Sequence, residues 1–200
     1  MSHYQEVVSF YKRRYSTFGN SPRSLGWGSP IEQRKRFEAL IRDYDPDLLA
    51  SESIVDFGCG LAHFLPWLQE RGYGKFYTGV DIVEDFLAEN RLRFPGYEFL
   101  KSEDFLNNGK RYGFIFASGV FTIPWGDNHP GIVKGTIEKL FDKCIYGFSF
   151  NMLYGWSLFK NPRFYYFNPR TVDRFCGTLT SKRVLDCSYL PGDFTIRMWK

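Results

Sequence analysis

The chain contains few residues of the types that bind metals or form disulfides, with three histidines and four cysteines among 200 residues. No two cysteines stand at C-x-x-C spacing, and the histidines have no ligand partners at a regular interval. A zinc site and a disulfide framework are therefore both disfavoured. We expect free thiols in a reducing cytoplasm at Cys59, Cys144, Cys176 and Cys187.

The chain also lacks a secretory leader, a long apolar run and a block of basic residues. Its formal net charge is only +4, and its lysines and arginines are scattered. We therefore expect no membrane insertion. Nucleic-acid binding usually needs a concentrated basic stripe, so it is disfavoured and is kept as an alternative.

Aromatic residues, in contrast, are abundant at 20% of the chain, and hydrophobic residues reach 44%. This content suits one buried core in a chain that is too short for separate cofactor and substrate domains. We predict a single domain over 1–200, with an N-terminal helical collar or lid at 1–45 and the core at 46–200. A substrate site must then share the core with any cofactor.

Strand and helix patterns alternate along this core. Strands are predicted at 53–57, 75–81, 97–100, 113–118, 145–150, 183–188 and 194–199. Helices are predicted near 62–71 and 84–93, after Pro130 and after Pro169, and two more precede the core. The turn before the last strand is too short for a crossover helix, so the last two strands must be antiparallel. The pattern predicts an α/β fold, a three-layer α/β/α sandwich around a seven-stranded, mostly parallel sheet.

The segment from Ile54 to Ala62, Ile-Val-Asp-Phe-Gly-Cys-Gly-Leu-Ala, is the most informative motif. An apolar strand ends there in an acid and two spaced glycines, and an apolar helix pattern follows. Gly58 and Gly60 allow positive φ and close approach of a ligand, and a helix start offers free N–H groups. The motif indicates a nucleotide cradle at the carboxyl end of a strand.

Asp81 ends the second predicted strand, where a carboxylate can accept hydrogen bonds from both ribose hydroxyls of an adenosine group. A nicotinamide fingerprint would require a third glycine where His63 stands. Asp56 would also repel a pyrophosphate. Both details instead favour S-adenosylmethionine, which has no phosphate and carries a sulfonium and an ammonium.

The segment from Asp56 to Ala62 resembles the D-x-G-x-G-x-G motif of class I S-adenosylmethionine-dependent methyltransferases, with alanine at the last glycine. The resemblance implies that Asp81 binds the ribose and that Glu103 or Asp104 meets the adenine amino group. The closing antiparallel strand pair also matches the seven-stranded sheet of this family. The predicted cofactor-binding residues are Asp56, Gly58, Cys59, Gly60, His63, Asp81, Ile82, Glu103, Asp104, Ser118, Trp27 and Arg36.

A narrower resemblance, to a bacterial and phage group of small methyltransferases, rests on further segments. They are 25–27, 36–37, 77–82, 117–121 and 189–195.

The role expected for Arg36 is pairing with the cofactor carboxylate, and the alternative is an ordinary arginine on a helix surface.

The loop after the fourth predicted strand is where the acceptor is expected to bind. His129 or Asp127 could act there as a general base, and the alternative is a surface loop of turn-forming residues. Aromatic residues are concentrated at 154–167, which we expect either to line the acceptor pocket or to cover the core. The predicted pocket residues are Tyr11, Phe121, Trp125, Tyr154 and Tyr165.

Together these features predict methyl transfer from S-adenosylmethionine to a small or medium-sized acceptor. Ser118-Gly119-Val120-Phe121 stands where methyltransferases of DNA-base amino groups carry Asn/Asp-Pro-Pro-aromatic, so that reaction is disfavoured. Two alternatives are kept. One is a regulatory module that binds the cofactor without methyl transfer, and the other is a methyltransferase of nucleic acid or protein.

Overall fold

The computed structural model describes residues 3–26, 28–155 and 160–200, and their seven strands form one sheet. The strands are β1 (Ser53–Phe57), β2 (Phe76–Asp81), β3 (Glu98–Lys101), β4 (Tyr112–Ala117), β5 (Cys144–Leu153), β6 (Arg183–Asp186) and β7 (Asp193–Trp199). Their order across the sheet is β3-β2-β1-β4-β5-β7-β6.

The sheet is parallel except at its carboxyl-terminal strands. β1 pairs in parallel with β2 and β4, and β4 pairs in parallel with β5. β7 is antiparallel to both β5 and β6 and lies between them. The predicted mostly parallel sheet with an antiparallel final pair is therefore confirmed.

Eight α-helices in the described residues connect and cover these strands. They are α1 (His3–Phe18), α2 (Pro30–Ile41), α3 (Pro46–Ser51), α4 (Phe64–Gln69), α5 (Glu84–Arg93), α6 (Ser102–Asn107), α7 (His129–Lys143) and α8 (Pro169–Leu179). A short 3₁₀ helix, Pro22–Leu25, follows α1.

Side-chain alternation along β1 shows how the two faces of the sheet are covered. Val55 and Phe57 belong to a buried cluster that includes residues of α6, α7 and α8. Ile54 points to the other face and joins a cluster with residues of α2, α3, α4 and α5. The three-layer sandwich follows from this division, as predicted.

Helix α2 belongs to the sandwich although it lies within the predicted collar, 1–45. The Ser149 hydroxyl of β5 donates to the Leu40 carbonyl at 2.7 Å, and Arg197 of β7 donates to the Ala39 carbonyl at 2.8 Å. Both donors are buried. Of the described helices, α1 and the 3₁₀ helix therefore form a covering segment outside the sheet's helical layers.

Helix α1 covers the carboxyl edge of the sheet and docks on α5. The rings of Tyr11 and Tyr15 lie edge-on to Phe86, with centroids 6.4 and 5.5 Å away. Lys12 forms an ion pair with Asp85 at 3.0 Å. These contacts hold α1 above the glycine loop that follows β1.

Two short helices and one helix boundary differ from the prediction. Helices α3 and α6 were not predicted, because six residues are too few to show a periodic apolar pattern. Helix α4 begins at Phe64 rather than near residue 62, since Ala62 has a φ of 53° and cannot continue a right-handed helix.

In the part of the chain that the structure describes, no helix combines the length and apolarity that crossing a membrane requires.

Candidate functional site

A cavity of about 260 Å³ lies at the carboxyl ends of β1, β2 and β4, beneath α1. It is lined by the glycine loop after β1, by Asp81 and Ile82 after β2, and by the segment that follows β4. Because this edge is where the strand order changes direction, it is the expected ligand site of an open α/β sheet. The motif singled out in the sequence therefore borders this cavity.

Three residues of the glycine loop have left-handed backbone conformations, and backbone hydrogen bonds hold the loop in place. Gly58, Gly60 and Ala62 have φ values of 80°, 52° and 53°. The Gly58 and Cys59 N–H groups both donate to the Val80 carbonyl, at 2.7 and 2.9 Å. The loop is thereby anchored to β2, and Ala62 has a left-handed conformation that favours glycine.

Asp81 is fixed at the cavity wall by two backbone donors. Its Oδ2 accepts from the Gly60 N–H and its Oδ1 from the Val83 N–H, each at 2.8 Å. Burial raises the pKa of Asp81, and these hydrogen bonds oppose that rise. Each carboxylate oxygen keeps a second lone pair that can accept from a ligand hydroxyl.

Asp56 is a second buried carboxyl group in the same wall. Its Oδ2 accepts a hydrogen bond from the Tyr77 hydroxyl at 2.9 Å. Burial raises the pKa of Asp56 to about 7, the Tyr77 hydrogen bond lowers it, and the nearby Asp81 raises it further. A cation in the cavity would favour the ionised form of this group.

The ionisable acidic groups of the cavity lining have no cationic counterpart beside them in the part of that lining that the structure describes. Among the described residues, its lining includes Asp56 and Asp81 but no lysine or arginine. His63 also lines it, and burial together with Arg93 lowers the pKa of His63 to about 4, so that the ring is neutral at pH 7. The cavity therefore suits a cationic ligand and repels phosphate.

His63 connects the glycine loop to the covering segment. Its Nδ1 lies 3.3 Å from Gln33 Nε2, and its Nε2 lies 2.7 Å from the side-chain amide of Asn20. With that amide oriented to donate to His63, its oxygen accepts from Arg93 at 2.8 Å. His63 therefore lines the cavity and also holds the covering segment in place.

The rest of the wall is mostly apolar and aromatic, and its polar groups are the Tyr11 hydroxyl and the side chains of Gln33, Ser102, Ser118 and Thr136. Burial and the nearby Asp81 raise the pKa of Tyr11, so it is a protonated donor. Phe121 and Trp125, predicted to line the acceptor pocket, line this cavity. The apolar and aromatic lining residues include Phe57, Phe64, Phe86, Val120, Ile123, Ile132 and Val133.

Most of the predicted cofactor-binding residues border this cavity. Those that line it are Asp56, Gly58, Cys59, Gly60, His63, Asp81, Ile82 and Ser118. Glu103 and Asp104 are exposed in the first turn of α6, while the preceding Ser102 lines the cavity. Trp27 lies outside the described residues.

Arg36, predicted to pair with a cofactor carboxylate, is not among the residues that line the cavity. It forms a buried pair with Asp193 of β7, with Nε to Oδ1 at 3.2 Å and Nη2 to Oδ2 at 2.6 Å. The alternative, an ordinary arginine on a helix surface, is also wrong, because Arg36 is buried. The observed pair joins α2 to the sheet.

Loss of the Arg36 side chain should therefore affect stability rather than ligand binding. We expect Arg36→Met to destabilise the fold by about 3 kcal/mol, since an unpaired Asp193 stays buried. The double variant Arg36→Met/Asp193→Leu should recover part of this loss. Urea unfolding measures both, and a ligand affinity that falls tenfold in folded Arg36→Met would instead show that Arg36 reaches the ligand.

His129 and Asp127, the candidate bases, do not line the cavity. His129 is buried, its Nδ1 accepts from the Trp125 N–H at 3.3 Å, and its Nε2 lies 3.1 Å from the Phe121 carbonyl. Because both ring nitrogens have backbone partners, His129 fixes the loop between β4 and α7. Asp127 is exposed, as the surface-loop alternative predicted.

Tyr154 and Tyr165 were predicted to line the acceptor pocket, and neither borders this cavity. The Tyr165 ring packs against His129 at a centroid distance of 4.8 Å, and its N–H donates to the Thr122 carbonyl at 2.8 Å. The aromatic segment therefore supports the loop from behind. Residues 156–159 of that segment lie outside the described residues.

Two buried asparagines that shape the site were missed in the sequence. The Asn151 Oδ1 accepts from the Gly119 N–H at 2.8 Å, and Asn90 Nδ2 donates to the Gly60 carbonyl at 2.7 Å. Each fixes a turn that borders the cavity. An asparagine inside an otherwise apolar strand or helix face was the available signal.

Comparison with known proteins supports the fold. The candidate methyltransferase Rv1506c of Mycobacterium tuberculosis is 29% identical over 144 residues, which span 66% of this chain and 82% of that protein. No protein-family profile matches the chain.

Solved structures extend the comparison to nearly the whole chain. A complex of DhpI with SAH has a TM-score of 0.65 at 14% identity, covering 98% of this chain and 97% of that one. The magnesium protoporphyrin IX methyltransferase of Synechocystis PCC 6803, with bound SAH, has a TM-score of 0.61 at 12% identity and covers 98% and 94%.

A third structure, the N-methyltransferase NodS of Bradyrhizobium japonicum WM9, has a TM-score of 0.56 at 14% identity and covers 87% and 99%. These similarities establish that the chain has the fold of class I S-adenosylmethionine-dependent methyltransferases, as the motif predicted.

Proposed function

From this fold and the charge of its cavity, we propose that the protein transfers a methyl group from S-adenosylmethionine to a small or medium-sized acceptor. The observation that carries the proposal is a glycine-loop cavity with two carboxyl groups and, among the described lining residues, no lysine or arginine. A nicotinamide or nucleotide cofactor would place phosphates beside Asp56 and Asp81. A sulfonium compound would place positive charge there.

The residues present fit this cofactor. Asp81 would accept hydrogen bonds from the ribose hydroxyls through the lone pairs that Gly60 and Val83 leave open. Asp56 would balance the positive charge. Ser102, which lines the cavity, and Glu103 or Asp104 beside it would lie toward the adenine. A Cβ at Gly58 would overlap the Val120 side chain, so the cradle requires glycine there.

When bound, S-adenosylmethionine supplies a methyl group activated by the sulfonium, and the chain's own task is positioning. Holding two reactants in line can contribute on the order of 7 to 11 kcal/mol. Phe121, Trp125 and Ile123 form an apolar part of the cavity wall. The Tyr11 phenol, protonated and near Asp81, can orient a ligand group by donating a hydrogen bond.

A general base is not required by this arrangement. His129 and Asp127 lie away from the cavity, so acceptors that ionise on their own are favoured over alcohols.

The four cysteines are free thiols, three of them buried, which supports a place in the reducing cytoplasm.

Methyl transfer can be tested with methyl-labelled S-adenosylmethionine and a whole cell extract, which is separated after the reaction into small molecules, protein and nucleic acid. We expect label to enter small molecules with formation of an equal amount of S-adenosylhomocysteine. Label found only in protein or nucleic acid would favour the macromolecular alternative. Cofactor binding without any label transfer would favour the regulatory module.

Cofactor affinity should depend on pH through Asp56. Its pKa of about 7 in the free protein means that, near neutrality, cation binding releases a proton. The affinity for S-adenosylmethionine should therefore rise about tenfold from about pH 6 to about pH 8 and then level off. Calorimetry in buffers of different ionisation enthalpy would detect the released proton. Asp56→Asn should abolish the dependence, and an unchanged profile in that variant would exclude Asp56 as its source.

A further inference from the structure

A second cavity, of about 610 Å³, opens on the same edge of the sheet beyond β5. Tyr154 follows β5 and Cys187 follows β6, and both residues line it. β5 and β6 are each antiparallel to β7 and so run in the same direction. Their carboxyl ends therefore share an edge with the cofactor cavity, and the second cavity lies on the side away from β2 and β3.

The charge of this second cavity is opposite to that of the first. Lys160 and Arg170 line it, and its lining contains no aspartate or glutamate among the described residues. In that same part of the chain, neither cation has a carboxylate within ion-pairing distance. Lys160 lies over the Tyr166 ring, 5.6 Å from its centroid. Two cations without acidic partners suit an anionic ligand.

Aromatic rings form the apolar part of this cavity. Tyr154, Tyr166 and Phe167 line it. Phe167 is held in place because its N–H donates to the Leu153 carbonyl at 2.8 Å. Planar apolar walls beside cations suit a molecule that combines an aromatic or apolar body with an acidic group.

A chain of contacts links the linings of the two cavities. Phe167 lines the second cavity, and its ring lies 5.6 Å from that of His129. The His129 Nε2–H donates a hydrogen bond to the carbonyl of Phe121, which lines the first cavity. A ligand in the second cavity would therefore contact Phe167, which packs against His129 and so helps to support the loop that borders the cofactor cavity.

We propose that the second cavity is a subsite for the acidic group of the methyl acceptor, a carboxylate or phosphate carried on an aromatic or apolar body. This assignment rests on the proposed methyl transfer. The division of charge supports it, because a cationic cofactor and an anionic acceptor would each occupy the cavity of opposite sign on one sheet edge.

Cys187 offers a direct reporter of this subsite, since it lines the cavity and is exposed, whereas the other three cysteines are buried. Its thiolate attacks the disulfide of dithiobis(nitrobenzoate), forms a mixed disulfide and releases coloured thionitrobenzoate. That probe is an aromatic dicarboxylate. Dithiodipyridine reacts in the same way but carries no charge, so the ratio of the two rates isolates the attraction for an anion from the ionisation of the thiol.

We expect Lys160→Ala/Arg170→Ala to lower this rate ratio about tenfold at low ionic strength. The matched control Lys182→Ala/Arg174→Ala removes the same charges from exposed positions outside the cavity, with Arg174 one turn beyond Arg170 on α8. It should leave the ratio within about twofold of that of the unchanged protein. Benzoate and inorganic phosphate should slow the anionic probe in the unchanged protein, and Cys187→Ser should remove the fast reaction.

An equal fall of the ratio in both double variants, or no protection by benzoate or phosphate, would overturn the subsite. The assay needs no cofactor, so its result is independent of the proposed methyl transfer. The acceptor assignment is tested by a panel of acids and their neutral amides with S-adenosylmethionine. Turnover confined to acids, with KM raised about tenfold in Lys160→Ala/Arg170→Ala and cofactor affinity kept, is expected. Turnover of the amides alone would overturn it.

Discussion

Replacement of Asp81 by asparagine is expected to weaken binding of S-adenosylhomocysteine about a hundredfold. The carboxylate accepts from two backbone N–H groups at once, Gly60 on one oxygen and Val83 on the other. An amide offers only one acceptor oxygen, so its NH₂ would face one of those donors. The variant therefore loses the charged acceptor for ribose and one anchor of the glycine loop. The loss of two charge-assisted hydrogen bonds of about 1.5 kcal/mol each corresponds to a fall in affinity of about a hundredfold.

Asp127→Asn is the matched control for this experiment, because Asp127 is exposed and does not line the cavity. Its affinity should stay within about twofold of that of the unchanged protein. Circular dichroism and a thermal melt establish that Asp81→Asn is folded before calorimetric titration. An affinity in folded Asp81→Asn within threefold of the original would show that Asp81 does not hold the ribose.

Gly58→Ala is expected both to destabilise the fold and to impair cofactor binding. Gly58 has a φ of 80°, and a Cβ there would overlap the Val120 side chain, which lines the cavity. The left-handed conformation alone costs about 1 to 2 kcal/mol for alanine. Displacement of β-branched Val120 adds to this cost and moves a wall of the site, so we expect affinity to fall at least about tenfold.

Gly72→Ala separates these two effects. Gly72 has a φ of 79°, nearly the same as Gly58, but a Cβ there would meet no atom within 4 Å. It should lose about 1 to 2 kcal/mol of stability with unchanged cofactor affinity. Urea unfolding and calorimetric titration of both variants measure the comparison. Equal affinities in the two variants would mean that Gly58 serves only the backbone turn.

Much of the fold could be predicted from the sequence because its signals are local. Each strand is an apolar run bounded by turn residues, and the short Leu190–Asp193 connection forces the last pair to be antiparallel. The six-residue helices α3 and α6 were missed because so short a segment shows no periodicity. The start of α4 was misplaced because the left-handed backbone of Ala62 has no signature in an alanine.

The cofactor side of the site could be predicted for the same reason. Its residues follow two neighbouring parallel strands, so their positions in the chain imply that they meet. The acceptor side depends on where side chains point. His129 and Tyr165 stand in segments next to the site, yet they pack on each other behind the loop. Arg36 pairs with Asp193, 157 residues away, which no local pattern could indicate.

The central claim is that the cavity selects an adenosine ligand that carries an ammonium group and no phosphate, and calorimetric titration with a ligand series tests it most directly. S-adenosylmethionine, S-adenosylhomocysteine, ADP and NAD share adenosine and differ in charge. We predict stoichiometric binding of the first two and no heat of binding from ADP or NAD. Binding of ADP or NAD with no response to S-adenosylmethionine would contradict the account.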